Sequence, residues 1–554
     1  ELGQVSDSRR IPILNFLFKH PFQTQNFQRN LRELAGSYDR QDVSDYYFKL
    51  VSATGLKLKP LKKEKKTFFN LESYLRFAAE KEIESQKLMA QAFANLTEEE
   101  VNFLKASILS VMEGIYSGKY LHDDPNKYRF HVNMRFMSLM QKIDLEKIAQ
   151  AALVQFPVFS EENILQVRAL LKQHRNSKKE IVETYKDSSG LYVIGGMGEN
   201  DYTSLSEQNV KFILDAGGAD YYPDIDGNII DLSGDDRYVG AEEGNLGFGF
   251  MSSGFLIDLD GDDQYVCGQS CVGSSVFGVG LFVDKKGDDR YEAGSFAFGS
   301  SLLGVALFID EEGDDIYRAS LFSMGVGIAG GIGIISDLKG NDIYNISGGK
   351  LSGYRNPGEF QGWSVGVGFG LRNFVSGGFG FAFDGSGKDT YNVGTFSAGG
   401  GYYYGLGSLI NEGQDDDIYL GSRYGLGFSS HYAIGLFLDT AGNDIYKSKS
   451  FVGQGIAWDL SLALFEDLNG NDVYKTCEHC LGMASQNSIA VFIDQNGDDT
   501  YLGLDLPSNL KIENEYHGGS SLGFFWDQSG SDNYQKFKNN FFYIRKGSQY
   551  LLDE

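Results

Sequence analysis

Between Asp215 and Tyr534 the chain writes a version of Asp-x-x-Gly-(Asp/Asn)-Asp-x-Tyr twelve times, most copies 26 to 28 residues apart. A fixed period of that size marks an array of small units. One such unit cannot bury its own apolar face, so neighbours stack into a solenoid. The clearest copies begin at Asp258, Asp284, Asp310, Asp337, Asp439, Asp467 and Asp494, with looser ones at Asp215, Asp231, Asp384, Glu412 and Asp527. The function of such an array belongs to a long surface rather than to one pocket.

Each unit holds three pieces: the Asp-rich turn ending in Tyr, a middle segment such as MGVG or QGIA, and a small-residue strand such as GVGLFV or GVALFI that runs into the next Asp. Three short strands per period fit a β-helix coil, and two longer ones fit a flattened β-roll. Tyr at one offset (Tyr238, Tyr265, Tyr291, Tyr317, Tyr344, Tyr446, Tyr474, Tyr501) predicts a tyrosine ladder along the axis. Ahead of the array, residues 70 to 95, the run after Thr97, residues 132 to 154 and Ser160 to Tyr185 carry helix formers and apolar spacings of three and four. The fold class is therefore α+β multidomain: a helical docking or cap domain over 1–190, an acidic Gly/Asp/Tyr-rich solenoid of about 12 repeats over 191–534, and a C-terminal cap over 535–554.

Charge divides at the same boundary. Residues 1–200 hold 29 Lys+Arg against 25 Asp+Glu, and the remainder holds 20 against 50. The acidic array disfavours nucleic acid and anionic lipid and favours cations or basic proteins. The cluster Lys57, Lys59, Lys62, Lys63, Lys65 and Lys66 reads as a solvated loop or as a contact to anionic glycan, headgroups or the array of a neighbour. No stretch has the length and apolarity of a transmembrane helix. A start at Glu1 without Met or leader fits a mature chain or a trimmed one, and the expected place is extracellular, cell-surface or periplasmic.

The four cysteines form two local pairs, Cys267/Cys271 and Cys477/Cys480, in the third and tenth repeats. Stacked coils separate those repeats too far for one four-Cys zinc site. Two local disulfides or buried thiols remain, with His479 in CEHC leaving a small metal site as the alternative.

In the turn, Gly permits a tight reversal and up to three carboxylates recur on every rung. Stacked carboxylates repel unless protonated, hydrogen-bonded or bridged by cations. Hard oxygen donors select Ca²⁺. The sets Asp258/Asp263, Asp284/Asp289, Asp310/Asp315, Asp337/Asp342, Asp439/Asp444, Asp467/Asp472 and Asp494/Asp499 are the candidate ligands. The GNDIY and GNDVY turns resemble half of the Gly-Gly-x-Gly-x-Asp-x-Leu repeat of hemolysin-type (RTX) calcium-binding β-rolls. That resemblance implies Ca²⁺ held between successive coils, with Asp263, Asp289, Asp315, Asp342, Asp444, Asp472 and Asp499 at the ligand position. The period, the missing Gly pair and Tyr for Leu depart from that family. The metal-free alternative is carboxylates that cap the turn through backbone N–H groups.

The array breaks where Asp337 and Asp384 stand 47 apart, and insertions of this kind often carry a binding face. Tyr354, Arg355, Trp363 and Arg372 in that stretch are the candidate contacts to a protein or glycan partner. Gly362-Trp363-Ser364-Val365-Gly366 satisfies the nucleophile-elbow spacing without a following helix, and no zinc-protease helix or phosphate loop occurs. The chain thus reads as a non-enzymatic structural or interaction protein. A β-helical polysaccharide lyase or hydrolase, and a subunit of an envelope or appendage assembly docked through the helical domain, are the alternatives.

Overall fold

The computed structural model describes residues 10–38, 43–61, 65–117, 128–174, 180–346, 350–503, 520–535, 538–539, 542–545 and 549–553, apart from Arg355, Phe451, Thr476 and Glu478. Helices occupy the first part, among them Thr24–Gly36, Val43–Ala53, Leu71–Ala92, Glu98–Ser117, Leu145–Leu153 and Glu161–Leu171. Asn70 and Ser73 form a reciprocal cap at the start of Leu71–Ala92. Asp144 caps Leu145–Leu153, which divides the single helix expected over 132–154 into two. Among the described residues the last helical turn before the solenoid is Lys172–His174, and the expected helix up to Tyr185 gives way to the first strand, Ile181–Lys186.

From there the chain winds as a parallel solenoid with three sheets among the described residues, of 16, 12 and 9 strands. One coil shows the plan. Val279–Asp284 lies in the first sheet, the Asp-rich turn follows, Arg290–Glu292 lies in the second, Ser301–Leu302 in the third, and Val305–Asp310 begins the next coil. Register is strict: Asp284 stands beside Asp310 and Tyr291 beside Tyr317. The β-helix reading holds, with three short strands per coil.

The first-sheet strands of the middle coils, such as Val279–Asp284 and Val305–Asp310, are buried on both faces. Alternation sends Phe282 and Asp284 into the coil, where Phe282 meets Tyr265 edge-on at 5.0 Å. Val279, Leu281 and Val283 point the other way, into one apolar cluster shared with the helices. The helical region therefore lies along the flank of the solenoid rather than across its end. Phe159 meets Phe255 at 5.1 Å, the Tyr46 hydroxyl meets Ser336 Oγ at 2.6 Å, and Arg32 Nε meets Glu412 Oε1 at 2.5 Å. An uncovered parallel sheet with an apolar outer face is not stable in water, which is why the helices sit there.

Both ends of the long sheet are closed by an antiparallel neighbour. Ile181–Lys186 pairs with Leu191–Gly195, and Phe542–Arg545 pairs with Gln549–Asp553. Reversal removes the parallel edge on which another copy could add. The 47-residue spacing is one enlarged coil, because Ile332–Asp337 pairs directly with Phe379–Asp384 and Ile343–Ile346 with Thr390–Asn392.

Candidate functional site

The repeated turn builds a column of carboxylates inside the coil. The first Asp of the motif ends a first-sheet strand and points inward, where its Oδ2 accepts from a tyrosine hydroxyl. Tyr265 donates to Asp284, Tyr291 to Asp310 and Tyr446 to Asp467, each at 2.6 Å and each from the coil before. The tyrosine rings stack in register from Tyr202 to Tyr534, with Tyr291 and Tyr317 centred 4.8 Å apart at 3°. The expected tyrosine ladder is present and is a hydrogen-bonded one.

The Asp five residues further on is also buried. Its Oδ1 accepts the backbone N–H of its counterpart one coil earlier: Asp263 N–H to Asp289 at 2.6 Å, Asp289 to Asp315 at 2.6 Å, and Asp315 to Asp342 at 2.7 Å. The series continues without interruption from Asn200, whose N–H meets Asp220, to Asp499, whose N–H meets Asp532. The middle position makes a second, exposed series running the opposite way, as in Asp288 N–H to Asp262 Oδ1 at 3.0 Å and Asn471 N–H to Asn443 Oδ1 at 3.0 Å. The Asx-capping expected of the turn is thus built from rung to rung, with shorter local caps such as Lys286 N–H to Asp284 Oδ1.

Two of the three motif carboxylates are therefore inside, and only the middle one faces water. The array's surface is less acidic than its composition. The interior carries two carboxylates on nearly every rung, while ion pairs of the repeats such as Lys285 with Glu311 and Arg318 with Glu292 lie outside the column. Burial, reinforced by neighbouring carboxylates, pushes Asp284 up to about 8, Asp337 up to about 7, Asp444 up to about 10 and Asp289 up to about 11.

Glycine in the motif serves conformation and space together: φ is +159° at Gly261 and +144° at Gly287. A β-carbon on Gly261 would lie 1.5 Å from the Gly234 carbonyl oxygen, and one on Gly287 would lie 1.6 Å from that of Gly261. The coils approach so closely at this corner that no side chain fits.

The chain matches no protein-family model, no curated protein and no solved structure. One carboxylate oxygen from each of Asp289, Asp310 and Asp315 lies within 4.8 Å of the other two, and Asp315, Asp337 and Asp342 repeat the arrangement one coil on. In both sets some oxygens already hold hydrogen bonds and others have no partner: Asp310 Oδ1, Asp315 Oδ2, Asp337 Oδ1 and Asp342 Oδ2 are buried and unpaired. All fourteen Asp residues expected as ligands fall on this inner column. Asp220, Asp236, Asp389 and Asp417 join them, with the half-buried Asp532 at the end, and their signal was the motif's sixth position in the looser copies. A starting rung, Gly198-Glu199-Asn200-Asp201-Tyr202, escaped the motif because Asn replaces Asp and Gly195 replaces the first Asp.

The candidate partner contacts lie apart from the column. Trp363 stacks on Phe396 at 4.0 Å and 3° in an aromatic file that continues to Tyr424. Tyr354, 42% exposed, covers Phe396 and Tyr424, and the Arg423 guanidinium sits 4.0 Å from its ring centre. The Arg372 guanidinium lies beside the Tyr402 hydroxyl. Arg355, Lys62, Lys63 and His517 lie outside the described residues. Ser364 of the elbow-like pattern is buried and donates to the Gly362 carbonyl at 2.7 Å. Cys267 is bonded to Cys271 and Cys477 to Cys480, which takes both sulfurs from any site at His479.

Proposed function

We propose that this chain is a non-enzymatic, Ca²⁺-stabilised scaffold that works in an oxidising, calcium-containing space outside the cytoplasm and offers its long surface to a protein or glycan partner. The carrying observation is the buried column with unpaired carboxylate oxygens. Desolvating an ionised carboxylate without a counter-charge costs several kcal/mol, so such a column holds cations or protons.

The chain's own variation argues for cations. At the exposed middle position Asn, Lys and Ser replace Asp, and Asn443 accepts a backbone N–H as well as Asp262 does. Capping alone therefore does not require a carboxylate. At the buried sixth position every rung from Asp220 to Asp532 keeps Asp. A ligand demands the charge where a cap does not. Two carboxylates per rung balance one divalent ion, and an all-oxygen set in a dry interior suits Ca²⁺, since Mg²⁺ usually keeps several waters. The likeness of the turn to hemolysin-type repeats supports the same ion.

Two disulfides fit an oxidising compartment. No helix is long and apolar enough to cross a membrane among the described residues. Two of the three motif carboxylates are sealed in the coil, which leaves the carbohydrate-active alternative only the exposed middle ones. The test is elemental analysis of protein purified through metal-depleted buffer. Several equivalents of calcium per chain support the reading, and a calcium-free, fully folded protein removes it.

A further inference from the structure

The column is interrupted once. In register with Asp384 on one side and Asp439 on the other stands Asn411, so the turn begins there rather than at Glu412 and holds one residue more than its neighbours. Asn411 Nδ2 donates to Asp417 Oδ2 at 2.9 Å and to the Tyr419 hydroxyl at 2.8 Å. Asp417 Oδ1 meanwhile accepts the Asp389 N–H at 2.7 Å. Asp417 thus has a partner for each oxygen. One coil earlier, Asp384 Oδ1 and Asp389 Oδ2 are buried and unpaired, and the same holds for Asp467 Oδ1 and Asp472 Oδ2 two coils later. On the rung next after Asn411, Ala441 N–H and the Tyr446 hydroxyl likewise occupy Asp439 Oδ1 and Asp444 Oδ2, so what sets the Asn411 rung apart is one charge fewer and an amide lying on the remaining carboxylate.

We infer that divalent cations fill the coil interior in single file, each held by carboxylates of two successive rungs, and that the Asn411 amide takes the place of one of them. The file is thereby divided into two segments, Asp215 to Asp389 and Asp439 to Asp532. This rests on the calcium reading above and locates its sites. An amide supplies the N–H that an unpaired carboxylate oxygen needs but no charge, so the rung of Asn411 keeps one carboxylate where the others keep two. The amide lies on that single carboxylate, in the place that an ion shared by two carboxylates takes on the other rungs. Elsewhere one oxygen from each of three carboxylates on two successive rungs gathers within 4.8 Å, as in the Asp289, Asp310 and Asp315 set.

The experiment counts bound Ca²⁺ per full-length chain by elemental analysis after equilibration with excess Ca²⁺ and desalting. Tb³⁺ luminescence sensitised by the tyrosine column gives a second readout of proximity. Wild type, Asn411→Asp and Asp310→Asn are compared, with circular dichroism as the check on folding. The expected result is one additional equivalent in Asn411→Asp and one fewer in Asp310→Asn. Should Asn411→Asp fail to fold, Asp384→Asn copies the Asn411 arrangement one rung earlier and must lose one equivalent. Calcium in the wild type with no change in Asn411→Asp, or in Asp384→Asn, overturns the substitution of amide for ion while leaving the calcium reading in place. No calcium and no sensitised Tb³⁺ in the wild type overturns both.

Discussion

The Tyr291 hydroxyl donates to Asp310 Oδ2 at 2.6 Å across the step from one coil to the next. This bond ties the aromatic ladder to the carboxylate column, and it recurs because the residues recur. Tyr291→Phe keeps the ring stack and deletes the donor, leaving a buried carboxylate oxygen unpaired. The expected loss is about 1–3 kcal/mol, read as a lowered urea midpoint. Tyr221→Phe, on the outward side of the strand that carries the ladder residue Tyr222, is the control and should leave the midpoint in place.

The glycine corner gives a sharper contrast. Gly287→Ala puts a β-carbon 1.6 Å from the Gly261 carbonyl oxygen, and neighbouring coils cannot separate without breaking the ladder. Gly198 holds the same motif position in the starting rung, where a β-carbon would meet nothing within 4 Å. Gly287→Ala should therefore cost more than about 3 kcal/mol, as overpacking at backbone does at its worst, while Gly198→Ala stays within about 0.5 kcal/mol. Equal effects would mean that neither the space nor the positive φ at Gly287 selects the glycine.

Metal-free protein should lose stability as pH rises. In the folded state Asp439, Asp337 and Asp284 are raised to about 6, 7 and 8, above their ordinary value of 3.8. Between those values the folded chain binds more protons than the unfolded one, so stability is fullest below about pH 4 and falls through pH 6 to 8. Added Ca²⁺ replaces those protons, and its stabilising effect grows over the same interval. Melting curves in EDTA at pH 4.5, 6 and 8, repeated with Ca²⁺, check both signs.

The helices and the long sheet share one core. A chain starting at residue 180 leaves Val279, Leu281, Val283, Val305 and Leu307 without cover. Exposed apolar surface on that scale drives association. The truncated protein should aggregate or bind a hydrophobic dye strongly. A monomeric, dye-silent product would mean that the flank does not need the helices.

Much of this architecture is written in the sequence, and the reasons differ by element. The period, the three strands per coil and the stacked tyrosines follow from residues recurring at fixed offsets. Which way Asp258 and Asp263 point does not follow, because a period fixes repetition and not side; turn carboxylates that look solvated are in fact the interior. The position of the helices had a signal that composition hid. GVGLFV and GVALFI are apolar at every position, the mark of a strand buried on both faces, and only a covering layer provides the second face. Asn411 was masked by its neighbour Glu412, since one added residue in the turn shifts the motif by one. Trp363 belongs to a stacked file on Phe396, an arrangement made by coils distant in sequence and unreadable from the insertion alone.

The central claim is that the buried column is neutralised by bound cations, and thermal unfolding at pH 7.5 after exhaustive dialysis against EDTA, with and without Ca²⁺ returned in excess, tests it most directly. Each independent site saturated at 100 times its dissociation constant adds about 2.7 kcal/mol, so the account predicts a large upward shift on Ca²⁺ return that grows with calcium concentration. Superimposable melting curves, from protein in which elemental analysis finds no residual metal, would contradict it and leave a column of protonated carboxyl groups held by tyrosine and backbone hydrogen bonds.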